Sequence, residues 1–229
     1  MRPYILKLSQ LCSMPIAVLA QSARQEKAIN LPAEVSVESV SVSPDGNLIA
    51  AICSDRVVRV WSIRSGELLR SLKEKGGQPG VQFSGDGRLL AVSYEIIMYE
   101  KGAIEVFDLA SWKVQNDLTS ECMYCALAFS RDSRRLASAG NSGASVWDLA
   151  ARKKVATMSP PFGGSVALAF SPDGRLVATA DGDGFVRVHH ADTGGLRGPP
   201  TEFLLEPFAV VFSPDGKSFS PVVPTRRSR

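Results

Sequence analysis

Ala167-Leu168-Ala169-Phe170-Ser171-Pro172-Asp173-Gly174-Arg175-Leu176-Val177-Ala178-Thr179 is the stretch whose reading decides the fold. An alternating apolar run enters Ser-Pro-Asp-Gly and a second apolar run leaves it. Proline presets φ at the second position of a turn, aspartate can bond its own backbone, and glycine accepts positive φ, so the chain reverses sharply there. The same unit returns as Ser43-Pro44-Asp45-Gly46, Ser84-Gly85-Asp86-Gly87, Ser130-Arg131-Asp132-Ser133 and Ser213-Pro214-Asp215-Gly216, at spacings of 41, 46, 41 and 42 residues. A fixed period of this length points to a repeat architecture rather than a single irregular domain.

Around each turn the pattern is the same. The incoming runs are Val40-Ser41-Val42, Val81-Gln82-Phe83, Leu127-Ala128-Phe129, Leu168-Ala169-Phe170 and Val210-Val211-Phe212. The outgoing runs, such as Leu48-Ile49-Ala50-Ala51 and Leu136-Ala137-Ser138-Ala139, carry small residues that suit close packing between sheets. A third run alternates strictly and usually ends in an aromatic: Val58-Arg59-Val60-Trp61, Ile104-Glu105-Val106-Phe107, Ala144-Ser145-Val146-Trp147 and Val186-Arg187-Val188-His189. Alternation with β-branched residues predicts strands with one buried and one wetter face. A polar turn and a last short run, as in Leu68-Leu69-Arg70-Ser71-Leu72, complete four strands per repeat. The expected fold is all-β, a β-propeller of four-stranded blades with four full repeats and a partial fifth.

These units resemble WD40 repeats over residues 35–216. Trp147-Asp148 matches the family's closing dipeptide, Phe107-Asp108 is a close variant, Trp61-Ser62 keeps the tryptophan, and His189-His190 replaces both residues. The Ser-Pro-Asp-Gly turn is also typical of the family. The Gly-His pair that commonly opens such repeats is absent, and the chain's two histidines both stand in Trp-Asp positions. The buried Asp-His-Ser-Trp network of the family therefore lacks its histidine, and the blades are expected to rely more on apolar packing. The resemblance implies a non-enzymatic scaffold that binds protein or peptide partners through a propeller face, and names no partner.

The fifth repeat loses the pattern after Phe219, where Pro221 and Pro224 argue against a central strand, so residues 217–229 read as an irregular basic tail. Three arrangements would account for four and a half repeats. The chain is part of a longer propeller, which is the favoured reading; it closes on itself with residues around Ala33 to Val37 completing a blade; or it self-associates through open blade edges.

Composition is that of a globular chain, with 45% hydrophobic and 21% charged residues. The net charge of +3 owes part of its excess to Arg226, Arg227 and Arg229, which gives little support to nucleic-acid binding. No apolar run reaches the roughly 20 residues of a membrane-spanning helix. Residues 1–20 have the layout of a signal peptide, with Arg2 and Lys7 before an apolar stretch that closes on Val18-Leu19-Ala20. Ser13 and Pro15 dilute that stretch, so an ordinary N-terminal segment reads about as well; residues 21–34 are then a linker or a closing strand. Export would place the protein in the periplasm or outside the cell, and otherwise it would be cytoplasmic.

No catalytic constellation, cofactor motif or metal set is legible. Cys122 and Cys125 form a C-x-x-C without the second pair that a zinc site needs, and Cys12 and Cys53 suggest no disulfide framework. Asp181-Gly182-Asp183-Gly184 resembles part of a calcium loop but lacks the further oxygen ligands, so a hairpin turn is the expectation. His189 and His190 are adjacent on a strand and point to opposite faces. One feature breaks the repeat. From turn to third-strand aromatic takes 20 residues in the second repeat against 14 or 15 elsewhere, and the extra length falls in Tyr94 to Lys101. Tyr94, Ile96, Ile97, Met98 and Tyr99 are therefore the candidate partner-binding residues, since aromatics and methionine are enriched in interface cores. The competing reading is that the strands simply extend. Two rivals to the scaffold reading are an accessory domain of an enzyme and a periplasmic propeller resembling the TolB group, whose repeats also carry Ser-Pro-Asp-Gly.

Overall fold

The computed structural model describes residues 17–18, 27–28, 35–73, 80–96, 101–120, 126–160, 163–203 and 207–223. Among them every regular element is a β-strand. The first blade is the meander β3 (Val37–Val42), β4 (Leu48–Cys53), β5 (Val57–Ser62) and β6 (Leu68–Lys73). It follows a two-residue ladder of β1 (Ala17–Val18) with β2 (Lys27–Ala28). The second blade is β7 (Val81–Phe83), β8 (Leu89–Ile96), β9 (Lys101–Asp108) and β10 (Lys113–Ser120). The third is β11 (Ala126–Phe129), β12 (Arg135–Gly140), β13 (Gly143–Asp148) and β14 (Lys153–Met158). The fourth is β15 (Ser165–Phe170), β16 (Leu176–Asp181), β17 (Phe185–His190) and the short β18 (Thr201–Glu202). A fifth sheet holds two strands, β19 (Ala209–Phe212) and β20 (Phe219–Val222). Every pairing is antiparallel between sequence neighbours, as propeller blades require.

The turn that repeats in the sequence repeats in its hydrogen bonds. In each of the five copies the serine hydroxyl donates to the aspartate carboxylate, at 2.5 Å in the first and 2.6 Å in the rest. The same hydroxyl accepts the N–H of the residue five positions on, at 2.8 to 3.0 Å. The other acceptor work falls to the aspartate, which takes the N–H of the residue two positions on. The fourth residue closes the turn on the serine carbonyl. That residue has φ near 70° in the four glycine copies, and Ser133 takes the same conformation at 58°. Ser133 uses it to reach the neighbouring blade, its hydroxyl accepting the Asp86 N–H at 3.1 Å.

Packing between blades uses both sheet faces. Ala50, Ile52, Val58 and Val60 of the first blade meet Val81, Phe83, Leu90 and Phe107 of the second. The opposite face of the second blade, with Ala91, Ile104 and Val106, meets Leu127, Phe129, Leu136 and Trp147 of the third. The third then packs on Leu168, Phe170 and Val177 of the fourth, and Ala178, Ala180 and Val186 of the fourth on Val210, Phe212 and Phe219 of the fifth. This is why the central strands carry apolar residues on both sides. The first strands β3, β7, β11, β15 and β19 lie in succession against one another. Small residues let turns approach closely: a Cβ on Gly85 would sit 3.0 Å from the Arg131 carbonyl oxygen of the next blade. Polar bonds cross as well, Phe83 N–H to the buried Ser41 hydroxyl and the Asn116 amide to the Leu149 carbonyl. In blades one to three the outer strand bulges opposite the same step of the third strand, at Val60/Trp61, Val106/Phe107 and Val146/Trp147. Such bulges increase local twist.

Two places differ from a plain repeat. β20 lies inside the stretch that the sequence reading assigned to an irregular tail. Pro221 is accommodated because Ser213 N–H bonds the Ser218 carbonyl, and counting in twos from that pair puts Pro221 at a non-hydrogen-bonded position, its nitrogen facing the free edge. In the second blade β8 and β9 reach eight residues each and pair from Leu89↔Asp108 to Ile96↔Lys101, so the extra length lengthens strands and leaves 97–100 as the connection.

Two outcomes test the role of the turns. Gly174→Ala, which has no atom nearer than 3.7 Å to its new Cβ, should still destabilise the fold through its φ of +70°, by about 1–2 kcal/mol in urea unfolding; no change would contradict the turn geometry. Serine hydrogen bonds hold the Asp45, Asp132, Asp173 and Asp215 carboxyls below the ordinary value of 3.8. Burial works against this at Asp86, yet bonds from Ser84 and the Arg88 N–H still leave it low. Lowered carboxylates stabilise the fold above 3.8 and lose that contribution as pH falls through their lower folded values. Stability should therefore hold on acidification and fall off below the ordinary carboxylate value, and Asp132→Asn should make the fall shallower. A decline complete above about pH 5 would contradict this.

Candidate functional site

The lengthened hairpin of the second blade places the candidate binding residues unequally. Tyr94 is buried at 7% exposure, within β8 opposite Ala103. It stands seven residues after the turn glycine, where the other blades have Cys53, Gly140 and Asp181, all buried. Its ring therefore belongs to the blade interior. Ile96 pairs with Lys101 at the end of the ladder. Ile97, Met98 and Tyr99 lie outside the described residues, as do Cys12, Cys122 and Cys125.

The fourth blade holds a polar cluster that sequence reasoning missed. Asp181 is fully buried at the end of β16. It accepts the Ser165 hydroxyl at 2.6 Å and one Arg187 nitrogen at 2.5 Å. Arg187, itself 7% exposed, also forms a two-pronged pair with Asp183 at 2.9 and 2.7 Å. The hydrogen bond from Arg187 holds the Asp183 carboxyl below its ordinary range despite some burial, and Asp183 in turn raises the Arg187 pKa. The Asp181-to-Gly184 segment is a hairpin turn, as its composition predicted, and its carboxylates face a guanidinium instead of a cation site.

The first blade shows what is special here. At the equivalent turn Asp55 pairs with Arg59 at 2.5 Å, and the hydrogen bond from Arg59 lowers the Asp55 carboxyl. The positions of Ser165 and Asp181, paired across β15 and β16, are filled in the first blade by Val37 and Cys53, paired across β3 and β4. Cys53 is fully buried, and burial pushes its thiol pKa up. The expectation that the blades rely on apolar packing in place of polar networks is corrected on this point. The fourth blade supplies a Ser-Asp-Arg network without histidine, and the third keeps Trp147 Nε1 near the Ser138 hydroxyl at 3.4 Å.

His189 and His190 do face opposite sides, buried and exposed. The His189 imidazole lies 3.0 Å from the Gly194 carbonyl, and burial lowers its pKa. Among the described residues no group of three or more His, Cys, Asp or Glu could hold a metal ion, and no helix is long and apolar enough to cross a membrane. A cavity of about 270 Å³ between the fourth and fifth sheets is lined by Val188, Phe212 and Phe219 together with Arg197 and Lys217. It falls at the small end for a small-molecule site.

The repeated turn, the four-stranded meanders and the interblade packing agree with what the chain matches. Residues 28–62 and 152–190 fit the family described as WD domain, G-beta repeat. Those two segments are WD40 repeats. One matched segment covers the first blade to the end of β5, and the other runs from the end of the third blade through β17. Apoptotic protease-activating factor 1 of Rattus norvegicus is 22% identical over 70% of this chain and 13% of its own length. Eukaryotic translation initiation factor 3 subunit I of Bombyx mori is 25% identical over 58% of the chain and 44% of its own length. The same subunit of Aspergillus terreus is 35% identical over 33% of the chain and 22% of its own length. The chain thus spans less than half the length of these curated relatives.

Removing one partner of a buried ion pair leaves an uncompensated charge. Arg187→Leu should therefore destabilise the protein by about 3–5 kcal/mol, and Asp181→Asn in the same background should recover part of the loss. Unfolding of the single and double variants in urea checks this. A cost under about 1 kcal/mol would mean that the cluster is solvated like a surface pair.

Proposed function

We propose that this WD40-repeat chain is a non-enzymatic scaffold that binds protein or peptide partners through the loop-bearing face of its blades. Its mechanism is rigid display: antiparallel strands packed on both sides hold the connecting loops in fixed relation, so binding loses little loop entropy. The initiation-factor relatives are subunits by name, which fits a chain that works inside an assembly. The carboxylates of Asp173, Asp181 and Asp183 are bonded to serine hydroxyls, a backbone N–H group or arginine, which favours display over catalysis at these positions.

The observation that carries the reading is the hairpin of the second blade. Its strands are the longest in the four full blades along with β10, and they end in Ile97-Met98-Tyr99-Glu100, a sequence rich in the residue types that anchor interfaces. With Tyr94 buried, the proposed contact set is Ile96, Ile97, Met98 and Tyr99, and Tyr94 supports the hairpin from beneath. Replacing Ile97, Met98 and Tyr99 by serine should leave thermal unfolding unchanged and remove at least one protein from those recovered by quantitative affinity capture with the parent chain. Identical recovery by parent and variant would overturn the assignment of this hairpin.

A further inference from the structure

The repeated turns between first and second strands abut one another and form a continuous rim at one end of the blades. A Cβ on Gly87 would lie 3.6 Å from Pro44, one on Gly174 3.7 Å from Ser130 and one on Gly216 3.3 Å from Pro172, and Gly85 approaches the Arg131 carbonyl. The meander puts the turn between third and fourth strands at this same end of each sheet, and the hairpin between second and third strands at the other. In the third blade the two turns of this end are joined, Leu149 N–H donating to the Arg134 carbonyl at 3.0 Å.

Charge is spread unevenly along the rim. The two turns of the third blade, residues 130–135 and 148–153, hold Arg131, Arg134, Arg135, Arg152 and Lys153 against Asp132 and Asp148, a surplus of three positive charges. The matching residues balance in the second blade, and carry one negative charge in excess in the first and, with His190 neutral, in the fourth. Asp148 lies opposite both Arg135 and Lys153 in the ladders, and Asp132 accepts the Ser130 hydroxyl and the Arg134 N–H. Arg131, Arg134 and Arg152 are exposed, and among the described residues none of the three forms an ion pair. Both turns also break the repeat. Arg131 stands where three other copies have proline. Ser133 and Arg152 hold φ of 58° and 53°, where every other first turn, and the third-to-fourth turns of the first and fourth blades, have glycine. Left-handed backbone strains a residue with a side chain, and such strain gathers at functional sites.

We infer that this end of the third blade is a docking surface for a short acidic segment of a partner protein, whose carboxylates pair with Arg131, Arg134 and Arg152. The surplus is confined to one blade, and the flanking turns expose Asp86 and Asp173, so the surface suits a few clustered negative charges and not the long stripe of phosphates of a nucleic acid. It is separate from the hairpin of the second blade, which the meander sets at the opposite end of its sheet.

Fluorescence anisotropy of a labelled hexaglutamate peptide is measured with the full chain and with the triple variant Arg131→Pro, Arg134→Asn and Arg152→Gly. These substitutions install the first-blade residues found at Pro44, Asn47 and Gly66, so thermal unfolding should match or exceed the parent; if it falls, Arg131→Gln with Arg134→Gln replaces the variant. The parent should bind hexaglutamate with an affinity that falls as salt rises, and should not bind hexaglutamine. The variant should bind about tenfold more weakly, as the loss of three exposed pairs implies. Lys217→Gln, two blades along the rim, and the serine variant of the second-blade hairpin should both bind as the parent does. A parent that does not bind overturns the inference, as does weakening by either of these controls. So does binding that survives in the triple variant, which the terminal Arg226, Arg227 and Arg229 would produce, or tighter binding of an oligothymidylate of equal charge, which would make the surface one for nucleic acid.

Discussion

The rest of the structure depends on the burial of two apolar side chains from each inner strand after the first against the blade before it. A four-stranded sheet of this size has two faces and very little interior of its own, so it is stable only when both are covered. Leu90, Ile104, Leu136 and Val177 are completely buried because a neighbouring sheet covers the face they occupy. Each such residue removes about 1.5–3 kcal/mol worth of apolar surface from water. Stability in such a stack is close to a sum of blade terms and nearest-neighbour interface terms, and cooperativity comes from the interfaces.

The turn hydrogen bonds serve that packing. A serine hydroxyl shared between an aspartate and a backbone N–H fixes the angle at which the second strand leaves the first, and so decides which residues of β4, β8, β12 and β16 point at which neighbour. Where the turn also crosses to another blade, as Ser133 does to Asp86, local geometry and stacking are set by the same atoms. The ion pairs of Asp55 with Arg59 and Asp183 with Arg187 play the matching part at the other end of the blade, tying the hairpin between second and third strands to the third strand.

Much of this is legible in the sequence because it is local or periodic. The turns, the alternation of the third strands and the Trp147-Asp148 ending lie within short windows, and repetition separates structural aspartates from functional ones. The buried cluster of the fourth blade was not read, because Ser165 and Asp181 are 16 residues apart and meet only through strand pairing. A signal was present: aligned on the turns, Asp181 falls where the first blade has Cys53, and a charge in a cysteine's place asks for a partner. Tyr94 was counted with an exposed loop because composition shows the added length but not how far the ladder continues. β20 was missed because a proline weighs against a strand until the register shows its nitrogen at the free edge. At the candidate site, the added length of the second-blade hairpin was legible, and the burial of Tyr94 was not.

Residue-resolved hydrogen exchange under native conditions tests the central claim most directly, since protection reports the free energy of local opening. If interfaces between blades hold the fold together, the inner strands flanked on both sides, β7, β11 and β15, should exchange slowest and nearly together, with β19 and β20 faster. Protection that follows hydrogen bonding within each sheet alone, with β19 as slow as β11, would contradict the account.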